Sequence, residues 1–329
     1  MHPDFRTTRH ASLCVPPEAA GRRLDRFLAE SWPDYSRTLL AQLVRDGLVA
    51  VEGLPPAKVK PSLKLEAGWS VTVERPELTE STELEPEDIP LEILFEDECL
   101  IVLNKPAALP VHPPKAGRGG TLANALLHHF GKVSQAGTLR PGIVHRLDAD
   151  TGGVIVCAKD ESTHFKLGEQ FQQRTVEKTY LALVRGTVRK DKGEINKPIG
   201  RHPDHYEMQR VHKDGKPAVT EYEVLERFPG FTYLRITPKT GRTHQIRVHL
   251  SAVGHPIVGD RLYNHDNGLT LSEVQGVPAL PGEAPLIARQ ALHAARLAFD
   301  HPRDSRRLSF EAPLPADLER ALAALRAAR

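Results

Sequence analysis

The sequence predicts an α+β protein: a large domain built on a mixed, mainly antiparallel sheet flanked by helices and loops, with a small α+β module ahead of it. Three observations carry that reading. After residue 91, short β-branched or alternating runs outnumber helical patterns, and several follow one another across tight turns such as Phe228-Pro229-Gly230. That succession favours antiparallel pairing over a doubly wound sheet. Two helix faces and two short strands crowd into residues 21–74. Between the regions lies an acidic, proline-punctuated run, 75–90, with Glu77, Glu80, Glu83, Glu85, Glu87 and Asp88 among Pro76, Pro86 and Pro90. Too few apolar residues remain there to build a core, so a linker is expected.

Taken in order, residues 1–20 show no periodic pattern and are expected to form a flexible tail. Leu24, Phe27 and Leu28 fall at i, i+3 and i+4, the spacing of one helix face. Ser36 is placed to cap a second helix carrying Leu39, Leu40 and Leu43-Val44, which Gly47 stops. Strands are expected at 49–51 and 69–73. In the large domain, 91–329, strands are expected at 92–95, 100–103, 154–157, 179–184, 218–227, 232–237, 291–298 and 308–311. Helices are expected at 121–130, 162–174, 243–253 and 316–328. Two long stretches, a basic one at 186–216 and a Gly- and Pro-rich one at 264–288, read as loops of the length that is usually functional or disordered.

Composition narrows the function classes. Among 329 residues, 44 Lys and Arg stand against 42 Asp and Glu, a net charge of +2. Any nucleic-acid surface must therefore come from uneven distribution. The small module is one such place, with Arg22, Arg23, Arg26, Arg37, Arg45, Lys58, Lys60 and Lys64. Cys14, Cys99 and Cys157 are scattered with no C-x-x-C spacing, which suits reduced cysteines rather than a disulfide framework or a zinc site. His128-His129 lacks ligand spacing. No apolar run approaches the ~20 residues of a membrane span, and the N-terminus lacks a signal-peptide core. A cytoplasmic monomer, not associated with membranes, is expected.

The densest chemistry lies in 142–159, where a polar knot of His145, Arg146, Asp148, Asp150, Thr151, Gly152 and Gly153 sits between Ile143-Val144 and Val154-Ile155-Val156-Cys157. A turn fixed between rigid elements is where functional groups tend to sit, although Asp, Thr and Gly are also ordinary turn residues. Three further segments stand out: Asn104-Lys105-Pro106 at a strand end, Glu177-Lys178-Thr179-Tyr180, and Lys239-Thr240-Gly241-Arg242-Thr243-His244-Gln245-Ile246-Arg247 with Gly254-His255-Pro256-Ile257-Val258-Gly259-Asp260 after it.

In order and spelling these four segments resemble the motifs of RluA-type pseudouridine synthases, over about residues 91–312. The small module, through Arg23-Leu24-Asp25-Arg26-Phe27-Leu28 and Ser36-Arg37, resembles the S4-type RNA-binding domain. The 201–220 segment looks closest to the large-subunit ribosomal RNA branch of the family. Gly152 stands where the family usually has Ser or Thr, which is expected to loosen the turn, and Asn264 where Gly is common.

The resemblance implies isomerisation of uridine to pseudouridine in RNA, most closely ribosomal RNA. The N1–C1′ bond breaks, the base turns, and C5 joins C1′. The change is redox-neutral and adds no group, so no cofactor and no metal are expected. Asp148 would be the essential carboxylate, acting as nucleophile or base. Arg242 would keep it ionised, Tyr180 would lie under the uracil and serve proton transfer, and Ile246 would wall the other face. Arg146 would enter the RNA beside the flipped nucleotide. His145, Asn104 and Lys105, with Arg23 and Arg37 of the small module, are expected on the RNA side. Arg242 and Arg247 could instead bind phosphate, and Tyr180 alone could be a core aromatic. A transfer-RNA substrate, a non-catalytic assembly factor and an Asp-nucleophile hydrolase stay open as alternatives, although the last lacks a second carboxylate placed by any motif to activate water, with Asp150 merely nearby.

Overall fold

The computed structural model describes residues 10–32, 37–74, 84–113, 119–130, 142–205 and 207–329. These fall into two compact units, one ending before residue 84 and the other starting at Leu84. The first contains β1 (His10–Cys14), α1 (Leu24–Ser31), α2 (Arg37–Arg45), β2 (Val49–Val51) and β3 (Ser70–Glu74). Its antiparallel sheet has the order β1-β3-β2. On α1, Leu24, Phe27 and Leu28 are buried as their spacing requires, against Leu40, Val71 and Val73.

The tail expected over 1–20 is corrected here. From His10 the chain is a strand, and Ala11, Leu13 and Val15 are buried while Ser12 and Cys14 are exposed. That is the period of two of a half-buried strand, muted by a small Ala and a polar Cys. Arg23 forks onto Asp25, Nε to Oδ1 at 3.0 Å and Nη2 to Oδ2 at 3.1 Å. Ser36, expected as the cap of α2, lies outside the described residues, as does the side chain of Arg37.

The second unit runs through β4 (Ile93–Glu96), β5 (Leu100–Lys105), α3 (Leu122–Phe130), β6 (Gly152–Ala158), α4 (Glu161–Gln173), β7 (Glu177–Arg185), β8 (Lys192–Asn196), β9 (Ile199–Arg201), β10 (Gln209–Val211), β11 (Val219–Phe228), β12 (Phe231–Pro238), α5 (Gln245–Ala252), α6 (Arg261–Asn264), α7 (Leu271–Gln275), β13 (Leu292–Asp300), β14 (Arg307–Glu311) and α8 (Ala316–Ala327). Among the described residues a nine-stranded sheet has the order β4-β5-β6-β13-β7-β12-β11-β8, with β14 on β13. It is antiparallel except where β6 meets β13, so the α+β architecture is mixed and mainly antiparallel. That one parallel contact is short, His293 opposite Gly152 and Ala294 opposite Gly153. Gly153 sits at φ 117°, and a Cβ there would lie 2.1 Å from the Ala294 carbonyl oxygen, so only glycine fits.

Three apolar layers fix the sheet. Leu183, Leu234 and Ile236 pack with α5 and α8, whose Leu318, Ala321, Leu322 and Leu325 repeat one helix face. Ile101, Leu103 and Ile155 pack with α3 on one face, and Leu100, Val102, Val154 and Val156 pack with Leu167 and Phe299 on the other. No helix among the described residues is long and apolar enough to cross a membrane.

Two expectations change in this unit. The linker read at 75–90 ends by Leu84: residues 75–83 lie outside the described residues, while Leu84 and Ile89 pack on the α3 layer. Asn124 Nδ2 donates to the Glu85 carbonyl at 2.8 Å, and Glu87 Oε2 accepts from Gly120 N at 2.8 Å. The stretch 186–216 is not a loop but carries β8, β9 and β10, polar strands that bury little beyond Ile195 and Ile199.

Candidate active site

A cleft of about 530 Å³ opens in the second unit, lined by the 144–148 turn, the end of α4, β7 and the Lys239–Arg247 segment. Asp148 sits on the turn leading into β6. Thr151 N donates to its carbonyl oxygen at 3.1 Å, closing the turn. Arg289 Nη1 donates to the Asp150 carbonyl oxygen at 3.0 Å, and Gln290 Nε2 to Thr151 Oγ1 at 2.8 Å. Lys105 completes the anchorage, donating to the carbonyl oxygens of Pro106, Leu109 and Ala149 at 2.8, 2.8 and 3.0 Å. It is 1% exposed, and burial lowers its pKa to about 8, partly offset by Asp150 and Asp148.

Lys105 was expected on the RNA side; full burial and three carbonyl partners make it the internal tie of the Asp148 turn instead. Asn104, expected beside it, is not in the cleft, and its Nδ2 donates to Glu92 Oε2 at 2.9 Å. Nor is the turn loose at Gly152. That residue begins β6, and a Cβ on it would meet the Lys105 carbonyl oxygen at 3.1 Å.

The guanidinium on Asp148 belongs to Arg247, not to Arg242 as expected. Arg247 Nη1 donates to Asp148 Oδ2 at 3.0 Å. Its remaining edge is a fork onto Asp260, Nε to Oδ2 at 2.8 Å and Nη2 to Oδ1 at 2.9 Å. Burial opposes the Arg247 charge, but the bonds to Asp260 and the field of Asp148 outweigh it and raise its pKa. Asp260 also accepts from Leu262 N and Tyr263 N at 3.1 Å each, capping α6. Arg242 lies before α5 starts, and its Nε donates to the Pro217 carbonyl oxygen at 3.2 Å. The Thr-Gly-Arg turn is held by Gln245, whose Oε1 accepts from Thr240 Oγ1 at 2.6 Å and Arg242 N at 3.0 Å.

Tyr180 and Ile246 both line the cleft. Burial, and then Asp148, push the Tyr180 phenol far up, so it remains a proton donor at neutral pH. Ile246 is buried against the α5 layer. His145 stacks on Phe171, ring centroids 4.5 Å apart, and its Nε2 accepts from Val156 N at 3.1 Å. Burial, with Lys178 nearby, holds its pKa down at about 3. Arg146 is exposed at the cleft next to Asp148.

Two residues in the site had no assigned role. His244, in a left-handed conformation at φ 54°, brings Nε2 to 3.9 Å from Asp148 Oδ1 and Nδ1 to 2.9 Å from the Tyr263 hydroxyl. That hydroxyl accepts from Gln209 N at 2.9 Å, so its own proton can go to His244 Nδ1, leaving the ring proton on Nε2 towards Asp148. Burial keeps the imidazole neutral, against the pull of Asp148. Asp260 is the other, and its signal was the Gly-Asp pair immediately before a short helix. Asp148 thus has one oxygen locked by Arg247 and the other turned towards His244.

Among the described residues the group with metal-ligand chemistry is Asp97, Cys99 and His301, away from the cleft. His301 Nε2 already bonds Asp97 Oδ2 at 2.8 Å and Cys99 Sγ at 3.4 Å. Burial and Asp97 push the Cys99 thiol up to about 11, so it stays protonated. The group ties the β4–β5 turn to the chain after β13.

The cleft thus holds one carboxylate, Asp148, whose two oxygens are set by different neighbours. The model of a family described as RNA pseudouridylate synthase matches residues 99–252. A protein of Aquifex aeolicus described as an uncharacterized RNA pseudouridine synthase is 44% identical over 301 residues, 91% of this chain and 92% of that one. The ribosomal large subunit pseudouridine synthase D of Nitrosomonas europaea is 44% identical over 314 residues, 95% of this chain and 87% of that one. The solved structure of human RNA pseudouridylate synthase domain containing 4 superposes with a TM-score of 0.56 at 28% identity, covering 71% of this chain and 93% of that one. The chain belongs to the RNA pseudouridylate synthase family, and its activity is conversion of uridine to pseudouridine in RNA.

Proposed function

We propose that the chain modifies defined uridines of large-subunit ribosomal RNA, with Asp148 as the essential carboxylate and the target base flipped into the cleft. The observation that carries this reading is the asymmetric hold on Asp148. Oδ2 is fixed at 3.0 Å by Arg247, which leaves Oδ1 to meet the ribose or base as nucleophile or proton acceptor. The base, once freed from C1′, must turn without leaving. Ile246 and the Tyr180 phenol supply an apolar face and a protonated donor for that turn. The C5 proton is lost as C5–C1′ forms, and N1 gains one, so the reaction is a net isomerisation.

Flipping a nucleotide from its stack costs a few kcal/mol, and exposed Arg146 is placed to fill the vacated position. The first unit fits an S4-like grip on structured RNA, with Arg23 and Arg37 among its cations. The ribosomal substrate is supported by the name and identity of the Nitrosomonas europaea relative. The reading makes this a cytoplasmic, cofactor-independent enzyme. Mapping pseudouridine in ribosomal and transfer RNA from cells with and without the gene tests it. Loss of specific sites in large-subunit RNA is expected, restored by the wild-type gene. Sites lost only in transfer RNA would overturn the substrate assignment.

A further inference from the structure

The cleft carries more positive charge than its chemistry uses. Lys178 comes from the Glu177–Tyr180 motif and, two residues before Tyr180 on β7, shares its face of the strand. Both side chains line the cleft. Lys178 is partly buried, yet has no carboxylate or hydrogen-bond partner among the described residues. The adjacent carboxylate, Glu177, falls on the other face and is taken by Arg296 at 3.2 Å and Arg307 at 2.7 Å.

Arg174 stands at the C-terminus of α4 at φ 64° and ψ 30°, a left-handed position that favours glycine. Its guanidinium is exposed and likewise unpartnered among the described residues. The two cations feel each other. Burial, and then Arg174, make the Lys178 ammonium harder to keep charged. An unpaired cation in a partly buried site is costly until an anion arrives. His145 adds a neutral donor at the same edge: its Nε2 accepts from Val156 N, so the ring proton sits on Nδ1.

We propose that Lys178 and Arg174 form a phosphate subsite, holding a backbone phosphodiester of the RNA beside the nucleotide whose base sits over Asp148. This rests on the reading of the chain as a uridine isomerase acting on RNA. A phosphodiester offers two non-bridging oxygens and one charge. The compact ammonium can take one oxygen from within the cleft, and the guanidinium fork can take the other from the rim. Bound there, the phosphate relieves the repulsion between the two cations and fixes the ribose relative to the free oxygen of Asp148.

The test uses the full-length chain and a stem-loop RNA bearing a mapped target uridine, with one neutral methylphosphonate placed at each flanking linkage in turn. For the wild-type enzyme, one of these linkages should raise KM about tenfold, the size of a charge-assisted contact. Lys178→Met should raise KM by a similar factor on unmodified RNA, more than it lowers kcat, and reduce the salt slope by about one. On the sensitive methylphosphonate RNA it should cause little further loss, and Lys178→Arg should restore most of the affinity. A flat scan across both linkages, which needs no mutant to fold, overturns the subsite while leaving the enzyme reading intact, as do losses that simply multiply. A wild-type chain that makes no pseudouridine in any RNA overturns the enzyme reading and takes the subsite with it.

Discussion

Two sets of cations in the second unit handle charge in opposite ways. Behind the Asp148 turn every one is committed: Lys105 to three carbonyl oxygens, Arg289 to Asp317 and the Asp150 carbonyl, Arg247 to Asp148 and Asp260. Elsewhere in the cleft, Arg146, Arg174 and Lys178 have no carboxylate partner among the described residues. The first set shapes the site, and its charge is spent inside the fold before any substrate arrives. On the proposed reading the second set is left for the substrate, so preorganisation and capture are divided between different residues of the same cleft.

The largest expected effect lies at the carboxylate that the committed set holds. Asp148→Asn should lower the single-turnover rate more than roughly a thousandfold, while RNA affinity changes no more than about threefold, because dispersed phosphate contacts set it. Turnover above about a thousandth of wild type would move the essential carboxylate elsewhere.

Next comes a direct contrast between two arginines. Arg247→Met leaves Asp148 and Asp260 without their shared guanidinium, and breaking such a buried pair costs roughly 3–5 kcal/mol. Urea denaturation should read that loss, and activity should fall with it. Arg242→Met removes one hydrogen bond to Pro217 and should cost about 1 kcal/mol. Equal losses in the two variants would refute Arg247 as the partner that matters.

A further contrast concerns pH. Burial holds His145 neutral with a pKa near 3, below its ordinary 6.5. Between those values the unfolded chain binds a proton that the folded chain does not, so stability is lost as pH falls below 6.5. The slope from one such group reaches at most about 1.4 kcal/mol per pH unit. His145→Phe should remove that share of the acid slope between pH 6.5 and 4. His244, His249 and His293, shifted in the same direction, keep theirs in both proteins. Superimposable slopes would mean that His145 takes up its proton in the folded chain.

The sequence motifs located the cleft because each lies at the end of a strand or the start of a helix, and the sheet brings those ends together. Asp148 before β6, Tyr180 on β7 and Ile246 on α5 converge in this way. Arg242 and Arg247 could not be separated by pattern. They lie five residues apart in one motif, and which reaches the carboxylate depends on α5 starting at Gln245. Nothing in a residue type announces a buried lysine, so Lys105 was read by the usual exposure of its kind. The strand at His10–Cys14 and the polar strands β8 to β10 escaped for a related reason: their inward positions hold Ala, or only one or two large apolar side chains, which leaves little period to see.

The contact of β6 with β13 has a consequence for how the molecule comes into being. Residue 152 must find residue 293, whereas neighbours such as β4 with β5 and β11 with β12 pair across short turns. Closing the longer loop carries the greater entropic cost and belongs late in folding. The Asp148 turn runs straight into that strand, and its anchors Arg289 and Gln290 lie just before β13. During synthesis, chains that have not yet reached residue 292 lack the partner strand altogether. The Asp148 turn is therefore completed only once β13 is available to β6, and a Gly153→Ala change should delay or prevent that pairing while leaving the earlier hairpins able to form.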